Sequence, residues 1–557
     1  MPTITINLND LNSLLGKRLS LEEFREVVFP LKCGQIEGVI GSDITLEVSH
    51  DRPDLFSAEG IARELKGILG IETGLPRYRL GESGFKVFVD RSIAPIRPFI
   101  SCAVVRGVRL SEEAIVQAMQ LQEKLHLAHG RRRRKVSIGI HDVREIAKEI
   151  HYSAKRPEEI RFVPLGEDRE MNGREILELT PKGREYGHII RDFPAYPLLY
   201  DADGKVLSMP PIINGVITRV TERTEDVFVD VTGTDGEAVE SVAKIVATSL
   251  RERGGELEAV EIIGPSGALI APDLRPLELN LEVGMASRIL GIELSAESIS
   301  EALRRMRYDA APMGDRVEAL APPYRVDILH PVDLVEDVAI GIGYGNLEPE
   351  PPSIPTRGKE LPISAFSRKV RDLMIGFGFQ EIVSYIMTSR AMLFDKMGLE
   401  RGEVVEIGNP LTIDYSVLRN WLLPSLLNFL SHNRHVAYPQ RVFECGDVVS
   451  IDMGEPTRTR ATRKLAAVIC DFRASYEDAQ SVAYSLLKNL GFGQPGARRA
   501  EHPSFIKGRA AEILVAGGPL GILGEIHPGV LNNFGLEYPA SAFELDVSRM
   551  MELKRLK

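Results

Sequence analysis

The stretch Tyr324-Arg325-Val326-Asp327-Ile328-Leu329-His330-Pro331-Val332-Asp333-Leu334-Val335-Glu336-Asp337 joins an extended run to a helix. Pro331 suits the first helical position, where its missing N–H has no partner to lose. Asp333, Glu336 and Asp337 then fall at i, i+3 and i+4, on one side of the helix, where like charges repel. A hard cation with oxygen ligands, Mg2+ above all, would relieve that repulsion, and Asp327 could supply a fourth oxygen. Acids in the first turns of a helix also complement its dipole with no metal present. From the residues alone that plainer reading is preferred.

Downstream, Glu348-Pro349-Glu350-Pro351-Pro352-Ser353-Ile354-Pro355 is a linker, because proline this dense forces extended structure. The segment before the linker, 271–347, carries two short helices, the second striped by Ile299, Leu303 and Met306 after a Ser295 cap. It opens after a break at Ile263-Gly264-Pro265-Ser266-Gly267. Further upstream, 91–270 alternates helices and strands. A helix begins at Ser111, a strand spans 136–140, two strands span 212–218 and 226–231, and a helix covers 237–253. Residues 1–90 form a small α+β unit with a strand at 3–8 and a helix capped by Ser57. Beyond the linker, 357–557 reads as a large α+β domain. Its apolar helix faces are Phe366, Val370, Leu373, Phe377 and Ala479, Val482, Leu486, Leu490, and a hairpin turns at Gly517-Gly518.

Length and composition fit this division. A chain of 557 residues with 44% apolar and 26% charged content implies three to five soluble domains. The four cysteines, Cys33, Cys102, Cys445 and Cys470, are too scattered for a zinc site or a disulfide framework. With no signal-like start and no long uncharged apolar run, a cytoplasmic protein is expected. The net charge of −11 gives no bulk support to nucleic-acid binding. Arg131-Arg132-Arg133-Arg134-Lys135 is the one dense basic patch, and it reads equally well as an RNA contact or as a solvated loop.

Two further regions could carry chemistry. Pro210-Pro211-Ile212-Ile213-Asn214-Gly215 and Asp230-Val231-Thr232-Gly233-Thr234-Asp235 place hydroxyl and carboxylate groups at strand ends, where they could orient a water or simply cap turns. The segments 406–410, 418–427 and 441–447 contain no phosphate-binding glycine loop.

Taken in order, these segments resemble the β subunits of phenylalanyl-tRNA synthetase. Ser49-His50-Asp51-Arg52-Pro53-Asp54-Leu55 with Glu59-Gly60-Ile61-Ala62-Arg63-Glu64 is similar to the family's N-terminal signature. Arg325-Val326-Asp327-Ile328 with Asp333, Glu336 and Asp337 is similar to its magnesium-associated domain, and Leu418-Arg419 through Leu427 and Arg441 through Gly446 to its catalytic-like domain. The length leaves no room for the extra domains of bacterial subunits, so the resemblance is to the archaeal and eukaryotic-cytosolic type.

The resemblance implies an α+β multidomain fold: 1–90 N-terminal, 91–270 an editing domain of B3/B4 type, 271–347 a helical, DNA-binding-like domain of B5 type, 348–356 a linker, and 357–557 an inactive class II synthetase-like antiparallel sheet. It implies Mg2+ held by Asp327, Asp333, Glu336 and Asp337. It also implies an editing pocket lined by Leu198, Ser208, Asp230 and Thr232. No residue for aminoacylation is expected, since no Arg-x-Glu follows Gly446 and no ATP-stacking Arg follows Phe543-Glu544-Leu545-Asp546-Val547. ATP and phenylalanine would be handled by a catalytic α subunit in an (αβ)2 heterotetramer that charges tRNA(Phe), while this chain hydrolyses mischarged tyrosyl-tRNA(Phe). A scaffold without editing activity is the alternative, and a stand-alone adenylating enzyme a more distant one.

Overall fold

The computed structural model describes residues 2–32, 35–265, 267–352 and 356–555. Cys33, Ser266 and linker residues 353–355 lie outside the described residues. The chain divides into two compact units, Met1–Pro351 and Pro352–Lys557.

The first unit is organised by a ten-stranded mixed sheet. Its path runs Ile213–Asn214, Val206–Met209, Tyr196–Asp201, Glu149–Lys155, Leu80–Val89, Glu256–Gly264, Phe99–Arg106, Val227–Gly233 and Val136–Asp142, with Gly267–Ala271 paired beside Glu256–Gly264. Leu80–Val89 runs parallel to both its neighbours. The sheet thus takes in a strand ahead of residue 90, because Val87 and Phe85 alternate inward and need the cover the larger sheet provides. Of the strand expected over 212–218, only Ile213–Asn214 pairs in the sheet. Val216–Thr218 instead forms a 3-10 turn, in which the Thr218 hydroxyl reaches the Gly215 carbonyl.

Strand alternation gives the sheet two separate cores. Val227, Val229 and Val231 face the helix Gly236–Arg251, burying Val239, Val242 and Val246. Phe228, from the opposite set, packs with Cys102, Val104, Tyr152 and Leu199. The first of these cores continues through the helix Ala58–Ile68 as far as Ile340.

The expectation of a helical module before the linker needs correction. Residues 277–342 contain three helices, Val283–Leu290, Ala296–Arg305 and Pro331–Ile342, but also a three-stranded antiparallel sheet of Leu277–Glu282, Arg316–Ala321 and Asp309–Met313. The hairpin is hidden in the sequence because Asp309-Ala310-Ala311-Pro312-Met313 has little intrinsic strand preference. Gly314 at φ +69° makes its turn, and Ala310, Val317, Ala319 and Ala321 are buried.

The second unit is a seven-stranded sheet, ordered Gln380–Glu381, Gln440–Ile451, Thr459–Cys470, Ala540–Asp546, Gly518–Ile526, Phe505–Val515 and Gly496–Arg499. All its pairs are antiparallel except the first. The helices Pro362–Gly376 and Tyr476–Asn489 cover one face. Leu423–His432 and Pro528–Phe534 cover the other. The hairpin turns at Ala516-Gly517, with both residues at positive φ, as a two-residue connection requires.

Candidate functional site

The two edge strands of the ten-stranded sheet line one cavity of about 280 Å3. Ser137, Ile138 and Gly139 come from one edge, Ile213 and Asn214 from the other, and Ser208, Asp230 and the Pro210-Pro211 turn complete the wall. The sheet therefore curls until its edges face each other. Side chains bridge the gap: Arg133 Nη1 donates to the Ile212 carbonyl at 3.0 Å and the Pro211 carbonyl at 3.3 Å, and His141 Nδ1 lies 2.8 Å from the Thr218 hydroxyl.

Register supplies the polar cluster. Asp230 sits opposite Gly139, Thr232 opposite Ser137 and Phe228 opposite His141, so all six occupy the same face. His141 Nε2 is 2.7 Å from Asp230 Oδ2, in a pair with side-chain exposures of 0% and 2%. Asp230 Oδ1 takes no hydrogen bond among the described residues. The pair exists because residue 139 is glycine: a Cβ there would lie 2.0 Å from Asp230 Oδ2 and 2.5 Å from His141 Nε2.

Ser208 lines the same cavity, and its hydroxyl is buried without a partner. A buried hydroxyl without a hydrogen bond is costly unless a ligand or water completes it. Leu198 and Thr232 stand one layer back. Leu198 belongs to the apolar cluster of Phe162, Ile176, Met209 and Ile212, and Ile212 reaches the cavity. Thr232 Oγ1 accepts from Arg97 Nε at 3.0 Å and lies 3.0 Å from the Ser137 hydroxyl, which does face the cavity. Ser208 and Asp230 are thus brought together directly, Leu198 and Thr232 only through their neighbours.

Arg97 is a hub that sequence reasoning missed. It is buried, donates to the carbonyls of Arg133 and Arg134 at 3.2 Å each, to the Thr232 carbonyl at 2.7 Å and to Ser137 at 3.1 Å. Burial lowers its guanidinium to about 10, against the fields of Tyr152 and Asp230. Cys102, opposite Asp230, is held well above its usual pKa by burial and then by Asp230, so it is a thiol and no nucleophile. His141, Gly139 and Ser137 also escaped the sequence reading. Their signal was Ser137, Gly139 and His141 alternating with Val136, Ile138 and Ile140, a strand with one small polar face.

The four acids near the helix Pro331–Ile342 do not converge. Asp337 is buried and pairs with Arg325 at 2.8 Å and with the Tyr308 hydroxyl. Asp327 is gripped by two Arg325 nitrogens at 2.8 Å; burial would raise its carboxyl, but Arg325 holds it well below the usual carboxylate range. Asp333 caps the helix, accepting from Leu329 and His330 N–H groups at 2.8 Å. Glu336 points outward to Lys32 at 2.8 Å. Among the described residues no three His, Cys, Asp or Glu side chains gather in a way that could hold a metal ion. Within this chain the four acids do not form a Mg2+ cradle on their own: Arg325, Lys32 and backbone N–H groups engage most of the oxygens such an ion would need, while Asp337 Oδ1 is buried with no partner among the described residues.

In the second unit the polar side chains around the Arg441–Gly446 motif are internally paired. Arg419 meets Glu444 at 2.8 Å, and Glu544 accepts from Lys464 at 2.8 Å and from the Leu422 N–H at 2.8 Å.

A half-open cavity of mixed polar and apolar lining in a curled mixed sheet, a small α+β module after it and a separate seven-stranded sheet unit define a multidomain α+β protein of a specific modular class. Residues 110–260 match the family model described as B3/4 domain, 279–344 the tRNA synthetase B5 domain, and 347–547 the phenylalanyl tRNA synthetase beta chain CLM domain. The chain is 44% identical to the phenylalanine–tRNA ligase beta subunit of Pyrococcus furiosus over 98% of this chain and 99% of the relative. It is 45% identical to that of Thermofilum pendens over 99% and 98%. A crystal structure of an N-terminal fragment of the Pyrococcus horikoshii beta subunit covers 62% of this chain and 100% of the fragment, at 42% identity and a TM-score of 0.60. The chain belongs to the phenylalanine–tRNA ligase beta subunit family.

Proposed function

We propose that this chain is the proof-reading partner in a phenylalanine–tRNA ligase and that residues 110–260 hydrolyse tyrosyl-tRNA(Phe). The partner α subunit would join ATP, L-phenylalanine and tRNA(Phe) into phenylalanyl-tRNA, AMP and diphosphate, with Mg2+ accompanying ATP there, in a cytoplasmic (αβ)2 assembly. The segments 1–90, 91–270, 271–347 and 357–557 would be its N-terminal, editing, B5-type and class II synthetase-like parts. A hydrophobic synthetic site rejects an added hydroxyl poorly, so a second site must read it.

The observation that carries this reading is the cavity itself. It holds the unpartnered Ser208 hydroxyl, suited to a phenol, and the Asp230 carboxylate held by His141. At about 280 Å3 it suits one amino-acid side chain rather than a larger ligand. Asp230 Oδ1 would take a proton from water as the water oxygen attacks the ester carbonyl carbon. The bond to the ribose oxygen then breaks, and the proton passes to that oxygen. His141 would position Asp230, while Arg97 would position Thr232 and Ser137, donating to both. Leu198 would close the apolar wall behind. The paired Arg419–Glu444 and Lys464–Glu544 side chains support a catalytically silent second unit.

The test uses the chain co-expressed with its α partner and challenged with preformed tyrosyl-tRNA(Phe). Asp230→Ala is expected to slow hydrolysis about 10²-fold or more, with phenylalanine charging intact. No hydrolysis above the buffer rate in wild type would leave a scaffold subunit.

A further inference from the structure

The geometry points to a second binding site beside the cavity: a clamp for the phosphodiester backbone of a single-stranded RNA 3′ end, formed by Arg131, Arg132 and Arg134. It rests on the editing reading above for its purpose but not for its existence. The loop after the helix Glu112–Leu127 separates two hollows. Arg133 is buried and lines the smaller cavity with Ser208 and Asp230. Arg131, Arg132, Arg134 and Lys135 line a larger hollow of about 1010 Å3 on the other side, with Tyr186 and Asp235. The partition between them is Arg133 stacked 4.4 Å over the Tyr186 ring.

Arg131, Arg132 and Arg134 are exposed, and none has a side-chain hydrogen bond or ion pair among the described residues. The acids in the hollow are already engaged: Asp235 with Lys135 at 3.1 Å and as the cap of the next helix, Glu185 with Lys182 at 3.3 Å. The outer hollow therefore presents three free guanidinium groups, the side chains best matched to phosphate.

The backbone adds an independent reason. Arg131, Arg132 and Arg133 have φ of +47°, +55° and +64°, three consecutive left-handed residues without a glycine. Side chains rarely adopt this conformation, and strain of this kind persists where the surroundings enforce it and function uses it. Here the Leu127 and His126 carbonyls accept from Arg132 and Arg133, and Arg97 grips the Arg133 and Arg134 carbonyls from below. That turn sends Arg133 inward and its neighbours outward. An aminoacyl ester in the small cavity must be attached to a terminal nucleotide just outside it. A wall one side chain thick, with free arginines on the far side, is where the adjoining phosphates fall.

The experiment uses the αβ complex and two readouts: fluorescence-anisotropy binding of a short single-stranded RNA with the tRNA 3′ sequence, and hydrolysis of tyrosyl-tRNA(Phe) alongside phosphate-free 3′-tyrosyl-adenosine. Arg131→Gly/Arg132→Gly relieves the left-handed strain, so its thermal midpoint should not fall. Arg131→Gln/Arg132→Gln/Arg134→Gln removes all three charges. Both variants should bind the oligonucleotide more weakly, the triple variant about 10-fold or more. Its salt dependence, log K against log salt, should flatten by about 2, at roughly 0.7 for each phosphate no longer neutralised. Hydrolysis of tyrosyl-tRNA should fall in kcat/KM while 3′-tyrosyl-adenosine is cleaved as before. Wild-type binding and salt slope in the triple variant would overturn the clamp. If wild type binds the oligonucleotide and the variants do not, but nothing is hydrolysed, the clamp stands and the editing reading fails.

Discussion

Gly139 concentrates the chemistry of the candidate site at one position. Its neighbours, Asp230 and His141, are on strands far apart in sequence, and only the register Asp230↔Gly139 brings the carboxylate and imidazole together. A methyl group at 139 would sit inside that contact at 2.0 Å from Asp230 Oδ2. Neither partner is a free surface group that could swing aside, so Gly139→Ala should part the pair, at about 1–3 kcal/mol of stability for the overpacked core. Tyrosyl-tRNA hydrolysis should fall about as far as in Asp230→Ala while phenylalanine charging continues. Gly284→Ala, where a Cβ meets nothing within 4 Å, serves as the neutral control. Wild-type hydrolysis in Gly139→Ala would dismiss the Asp230–His141 pair as the working unit. Asp230 itself enters through the family resemblance; the residues alone suggest a strand end near 231, whereas it is the central residue of Val227–Gly233, paired on both sides. His141, 89 positions away in sequence from its partner, was not legible, since nothing in one sequence sets which strands become neighbours.

The loop between Glu112–Leu127 and Val136–Asp142 is an element whose stability depends on pH. His126 is buried, and its Nε2 accepts from the Ile138 N–H at 2.9 Å. Burial lowers its pKa from 6.5 to about 4; Glu123 opposes that shift, while Arg133 and Arg97 reinforce it. Below pH 6.5 the unfolded chain therefore binds a proton that the native loop refuses. The stability contributed by neutral His126 is complete above about 6.5 and drains away as pH falls towards about 4, by about 3 kcal/mol at most. Glu123, held down to about 2 by His126 and then Arg133, titrates below that window. His126→Gln keeps an acceptor for the Ile138 N–H but cannot titrate. Denaturant unfolding across pH 4–7 should show a steep loss in wild type and a flatter one in the variant; coincident curves would remove His126 as the cause. The loop's charge was evident from its five basic residues, but its division of labour was not. Which arginine turns inward is set by three left-handed φ values and the Arg97 anchor, and no periodicity encodes those.

Across the first unit, the two sequence signatures that carry the family resemblance meet in space, which changes what the acidic stretch means. Arg52 pairs with Asp54 at 2.8 Å and Glu64 at 3.3 Å. Arg63 lies 3.5 Å over the Tyr324 ring, and Arg325 ties Asp327 to Asp337. Helical spacing placed Asp333, Glu336 and Asp337 on one side, but i+3 and i+4 diverge about 60° and 40° to either side of i. On a helix half sunk in the core that divergence is decisive: Asp337 enters the core and Glu336 meets solvent. Spacing reveals the repulsion but not the arginine, supplied from outside the helix, that offsets it at Asp337. A buried pair broken on one side leaves an uncompensated charge and costs about 3–5 kcal/mol. Arg325→Met should therefore lower the unfolding free energy of the first unit by that order, since Asp327 and Asp337 both lose their cation. A resident Mg2+ shared by these acids would make the opposite pattern: EDTA would destabilise wild type, and removing the competing arginine would tighten the ion. With Arg325 on Asp327 and Asp337 and Lys32 on Glu336, the thermal midpoint of the chain should be the same in EDTA and in millimolar Mg2+, and Arg325→Met should lose stability in both. A midpoint raised by Mg2+ in wild type and abolished by Asp333→Asn/Glu336→Gln would restore the metal site and reduce the arginine network to a feature of the metal-free state.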